Sequence, residues 1–278
     1  SGGRTAGVTS QQGTEEKTLD NMNKEELNAE LSSAQSDLSE KQSTLSAVLD
    51  GSDPAISQLE ENVNQAYDTY QEQLKLVDEE LAEQVDDLKS KIDEQENKID
   101  QKEQEISDQE SVVSDSETEY NNAVTTRENL ETSLAALKSI DTSEMDSAKL
   151  SELNSKISEL TTKVETAKRK EEEAKTRWDE AEEKLKQLKE EKEELISGQG
   201  GLDELNQQMT ELEAEIIEKY PEIKEYLEAY NSAKETYDTE KQTAIANAKA
   251  EVQTAQNYVN EVQTAINNFE NKETVKDY

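Results

Sequence analysis

Residues 88 to 113 read LKSKIDEQENKIDQKEQEISDQESVV, and besides Leu88 and Val112 their apolar positions are Ile92, Ile99, Ile106 and Val113, each seven after the last. A repeat of seven lines up on one stripe of a helix that packs against a partner helix. The same register can be followed from Leu74. Its d positions are Leu74, Leu81, Leu88, Gln95, Lys102, Gln109, Ser116, Ala123, Leu130 and Leu137. Its a positions are Asp78, Val85, Ile92, Ile99, Ile106, Val113, Tyr120, Arg127 and Leu134. The pattern predicts one helix from about Pro54 to about Ser139, on the order of 130 Å long. The polar d positions between Gln95 and Ser116 predict a weak seam that sets register at a cost in stability.

Three further helices follow from the same reading. The first begins near Asn23, with Glu26 in the capping-box position, and carries Leu27, Leu31, Ala34, Leu38, Leu45 and Val48. It ends at LDGSDP, where Gly51 suits a left-handed C-terminal position and Asp53 with Pro54 opens the next helix. The third runs from about Asp146 to Ser197, after turn-forming Asp141, Thr142 and Ser143. SGQGG then breaks the chain, and a last helix is expected from Leu202 to Phe269, bent at Tyr220-Pro221. Its stripe takes two consecutive steps of four around Lys241, a stutter that relaxes a left-handed supercoil.

Charge argues for pairing of the second and third helices. Residues 72–119 hold 18 acids and 5 bases, net −13, whereas residues 149–195 hold 14 acids and 12 bases, net −2. A short connection favours antiparallel neighbours. With the turn near residue 144, paired residue numbers should sum to about 288. That places Leu134 beside Asn154, Ile106 beside Glu182 and Trp178 beside Glu110. The expected fold is all-α: an elongated antiparallel coiled-coil hairpin arm projecting from a small three-helix bundle base. The base would comprise residues 23–85 and 202–270, and the arm residues 86–197 with its tip near 138–148. Residues 1–22 read as a disordered linker or tag, residues 271–278 as a C-terminal linker. Tyr67, Tyr70, Tyr220, Tyr226, Tyr230 and Tyr237 form an aromatic zone expected to be base core rather than a ligand pocket.

Composition narrows the function. Of 278 residues, 31% are hydrophobic, so a thick layered core is out of reach and narrow helical seams are expected. A formal net charge of −37 opposes binding to nucleic acid and to anionic membranes. With no Cys and no His, no zinc site, thiol nucleophile or His-assisted catalytic pair can form. DGSDP at 50–54 lacks the spacing and distal Glu of a calcium loop. The glycines at 198, 200 and 201 lack the Lys-Ser/Thr of a phosphate loop. The blocks of Lys, Arg and Glu at 168–195 read as solvated i,i+4 pairs. No catalytic, cofactor-binding or metal-binding residue is expected, no cofactor, and no enzymatic activity. No run of about 18 apolar residues is present, so this segment is not expected to insert directly into a membrane.

In composition and heptads across residues 24–270, the chain is similar to coiled-coil regions of bacterial surface and envelope proteins. There such arms sit beside peptidoglycan hydrolases and hold or release them. The expected function is a non-enzymatic structural or interaction module, a spacer or arm of a larger protein acting through a protein partner, and frequent Ser, Thr, Asn, Gln and Tyr without Cys suit a bacterial extracytoplasmic (secreted or cell-envelope) setting. A monomer is expected in preference to a homodimer. The alternative is a secretion-system effector or translocator-type helical protein that rearranges on contact with a membrane or host partner.

Overall fold

The computed structural model describes residues 17–275, and every regular element among them is helical. The helices are α1 (Lys24–Leu49), α2 (Pro54–Val77), α3 (Glu79–Lys138), α4 (Ser147–Ser197), α5 (Leu202–Lys219) and α6 (Lys224–Val275). The linkers expected at 1–22 and 271–278 lie outside the described residues at 1–16 and 276–278. Of the rest, Lys17 pairs with Glu26 at 2.8 Å, Leu19 packs on the core around Tyr258, and α6 continues to Val275.

The capping signals form at the level of single hydrogen bonds. Asn23 Oδ1 accepts from Glu26 N at 2.8 Å, and Glu26 Oε1 accepts from Asn23 N at 3.1 Å. Gly51 takes φ 82° at the end of α1, a conformation costly for any residue with a Cβ. Asp53 then caps α2 through Ala55 N and Ile56 N, and Asp146 caps α4 through Lys149 N.

The long second helix does not exist as one element. The chain reverses at the single residue Asp78. Tyr67 Oη donates to Asp86 at 2.9 Å and Gln71 Nε2 donates to the Ala82 carbonyl at 3.0 Å. On a straight helix, residues 67 and 86 would stand on the order of 28 Å apart. Asp78 takes φ −159° and ψ 92°, its own amide closing α2 on the Leu74 carbonyl while its carboxylate caps α3 at Leu81 N. An Asp at an a position therefore acts as an N-cap, a preference heptad counting does not see. The last helix is likewise two. Tyr220-Pro221 begins a short 3-10 turn through Ile223, and Glu213 of α5 bonds Asn231 of α6, so this connection is a reversal, not a bend. Tyr220 Oη donates to Asp78 Oδ2 at 2.8 Å, tying one reversal to the other.

The described residues separate into two compact units, and α1, α3, α4 and α6 contribute to both. One unit takes residues 40–108 and 185–252. In it the α2/α3 and α5/α6 hairpins enclose a core of Tyr70, Leu74, Val85, Ile92, Ile216, Ile223, Leu227 and their neighbours. The other takes residues up to 39, 109–184 and 253 onward. It holds an α3/α4 core of Leu130, Leu137, Leu153, Leu160, Val164 and Ala167, and a second of Ala34, Tyr258, Val259 and Val262.

Within each unit α3 and α4 run antiparallel. Contacts from an α3 side chain to an α4 carbonyl have residue numbers summing to 290: Gln95 to Leu195 at 2.7 Å and Gln109 to Ala181 at 3.0 Å. Contacts between two long side chains sum higher, to 298 for Arg127 with Glu171 and for Tyr120 with Trp178. Trp178 thus meets Tyr120, with centroids 5.5 Å apart, rather than Glu110. The reason is directional. Helical side chains lean toward their own N-terminus, so in an antiparallel pair both leans add to the sum. The polar d positions also have partners: Gln95 and Gln109 reach those carbonyls, and Lys102 pairs with Glu191 at 2.9 Å.

In both units α6 lies parallel to α3. The residue offset stays near constant, from Glu96–Lys234 and Asp100–Lys241 in one to Ser114–Asn260 and Thr126–Asn271 in the other. α1 runs antiparallel to α6, with Glu30 accepting from Tyr258 Oη and Lys24 reaching Glu270.

Candidate functional site

The unit of residues 40–108 and 185–252 contains a groove of about 530 Å³. Tyr230 and Tyr237 of α6 line it, and Tyr230 packs on two tyrosines of the core. Tyr67, Tyr70 and Tyr230 come from α2 and α6 and meet ring to ring, with centroids 5.2–6.2 Å apart and Tyr70 stacked on Tyr230 at 13°. The sequence grouped these residues, and the α2/α3 and α5/α6 reversals bring them together. Tyr67 is fully engaged: its hydroxyl donates to Asp86, accepts from Gln71 at 2.6 Å, and its ring carries the Lys89 ammonium 4.8 Å from the centroid. The Tyr70 hydroxyl is sealed in the core without a partner. Tyr230, which is 6% exposed, lines the groove.

Above the tyrosines stand paired charges. Lys89 holds Asp93 at 2.7 Å, Lys234 holds Glu96 at 3.5 Å, and Lys241 holds Asp100 at 3.0 Å. Lys241 sits in the apolar stripe of α6 at 9% exposure, and its role was legible only as an irregularity in that stripe. Glu60 and Asp238 line the same groove. Burial pushes the carboxyl groups of Glu96, Asp100 and Asp238 above their ordinary range, against the pull of Lys234 and Lys241. Burial also raises the Tyr230 phenol, reinforced by Asp93, Glu213, Glu96 and Asp238, so it is neutral near pH 7.

Below the groove, Glu103 of α3 accepts from Lys192 of α4 and Lys249 of α6, both at 2.9 Å. One carboxylate so ties three helices. Among the described residues no group of three or more acidic side chains is placed to hold a metal ion. At 50–54, Asp50 accepts from Ser52 and Asp53 caps α2, so both carboxylates are used locally. No described helix is long and apolar enough to cross a membrane. No family model, curated protein or solved structure matches the chain.

Proposed function

We propose that the chain is a non-enzymatic interaction module, a helical spacer or arm of a larger extracytoplasmic protein, that presents the α3–α4 turn to a protein partner. On this reading the free part of the arm expected at 86–197 is the stretch of α3 and α4 between Leu130 and Ala167; Leu88 and Ile92, inside the expected arm, pack in the core with α2, α5 and α6 instead. The observation that carries it is the make-up of that stretch. Its core is drawn from α3, α4 and the connection between them. The connection, residues 139–146, is built from local Asp and Ser turns, and Ile140 (41%) and Leu150 (38%) are exposed beside it. A two-helix stretch ending in an exposed apolar turn buries little of itself and gives a partner something to bury.

The test is site-specific photocrosslinking in the native host, with the reactive residue at Ile140 or, as a control, at Glu190 on the exposed face of α4. A discrete adduct formed from Ile140, absent from Glu190 and lost on Ile140→Asp or Leu150→Asp, is expected. No adduct from Ile140, or the same adducts from both positions, refutes the reading.

A further inference from the structure

The groove between the two hairpins carries more negative charge than it neutralises. Five carboxylates line it, Glu60, Asp93, Glu96, Asp100 and Asp238, against three lysines, a formal balance of −2. Each lysine sits on one carboxylate, which leaves Glu60 and Asp238 without a hydrogen-bonded cation among the described residues. Asp238 feels Lys234 and Lys241 only through space.

A cluster of acids is ordinary in so acidic a chain, but Tyr230 is not. Its side chain is more than nine-tenths buried and faces the groove, and its hydroxyl has no hydrogen-bond partner among the described residues. Unlike that of Tyr70, it is not sealed from the groove. The hydroxyl itself opens on the groove, where a bound donor can reach it. Stacking on Tyr70 and a tilted contact with Tyr67 hold the ring before any ligand arrives. The neutral phenol oxygen accepts, and it is surrounded by carboxylates, so the complementary group is a cationic N–H donor.

We propose that this groove binds a small linear diamine or polyamine, with one ammonium hydrogen-bonded to the Tyr230 hydroxyl and the Asp238 carboxylate and a second answered by Glu60. Two excess negative charges call for at least a dication, and Asn64, Asn97, Asn206 and Gln242 on the same walls supply further acceptors. A volume of about 530 Å³ lies within the range of small-molecule sites. The site is independent of the partner proposed for the α3–α4 turn.

The experiment is calorimetric titration of the full chain with 1,4-diaminobutane and spermidine at about 150 mM salt, with butylamine as the monocation control. The result expected is saturable one-to-one binding, tighter for the diamine than for butylamine. Asp238→Asn should weaken it about tenfold and Tyr230→Phe several-fold, as for loss of a charge-assisted hydrogen bond. Glu190→Gln removes the same unit of charge from an exposed face of α4 and should change affinity less than twofold. Thermal melts by circular dichroism establish that each variant is folded. Several weak equivalents, reduced equally by Asp238→Asn and Glu190→Gln, would be counterion association with an acidic surface and overturn the proposal. So would the absence of any heat, and so would binding of a lysine-rich peptide but not of the free diamine.

Discussion

Replacing Glu103 by Gln isolates a carboxylate that three helices share. The Glu103 residue is 9% exposed, and the ammonium groups of Lys192 and Lys249 each lie 2.9 Å from it. At that distance and an effective dielectric of about 20, each attraction is about 6 kcal/mol gross. Most of this is offset by desolvating the carboxylate, and the lysine side chains, 32% and 33% exposed, are partly screened. A net of about 1–1.5 kcal/mol per pair remains, so Glu103→Gln should cost about 2–3 kcal/mol. For a chain of this size that lowers the melting temperature by roughly 5 °C. The pH dependence supplies a second check. Burial pushes the Glu103 carboxyl up, but the hydrogen bonds and charges of Lys249 and Lys192 outweigh it and hold it below the ordinary value. A carboxyl lowered on folding stabilises above its unfolded value and loses that stability as pH falls through the folded one. The gap between the natural chain and the variant should be full at pH 7 and should close only below about pH 4. Melts followed by circular dichroism at both pH values measure it. A gap under about 1 °C at pH 7, or one that widens on acidification, would refute the reasoning.

Glu96, Asp100, Asp238 and Glu213 have the opposite sign: burial raises each, so their contribution is present at low pH and lost as pH rises through the folded values. The melting temperature should therefore rise as pH is lowered from 7 to about 5, before Glu103 begins to protonate, and a steady fall over that window would contradict the burial of these groups. Leu160, 0% exposed in the α3/α4 core, should cost about 3 kcal/mol when changed to Ala. Hydrogen exchange should then speed up in residues 130–167 and stay unchanged in residues 63–92; uniform acceleration would show that the two cores melt as one.

Much of the local structure was legible. Asn23 with Glu26, and Asp53, announce helix ends through side-chain chemistry acting within three residues, and Gly51 through its freedom at positive φ; the cap of α4 is Asp146, the expected start of that helix, rather than Asp141, Thr142 or Ser143. The antiparallel setting of α3 and α4 could be reached from charge balance and loop length. The partner of Trp178 was misplaced because summing residue numbers ignores the lean of long side chains. The reversal at Asp78 was hidden for a different reason. Heptad counting registers an Asp at an a position as a weak seam residue, whereas the same carboxylate takes up the free amide of a new helix.

The sequence by itself determined that this chain is helical, where α1 and α2 are capped, and that it carries no His or Cys chemistry. These properties are set by each residue and its near neighbours on one helix. Only the tertiary structure decided that α2 folds back on α3, that α5 folds back on α6, and that α6 then runs parallel to α3. It also decided that Tyr230 would line a groove with two carboxylates, Glu60 and Asp238, that hold no lysine among the described residues. A periodic pattern records the angle at which a stripe faces a partner. It does not record which partner, or in which direction that partner runs, because a stripe of leucines and alanines buries equally well against several others.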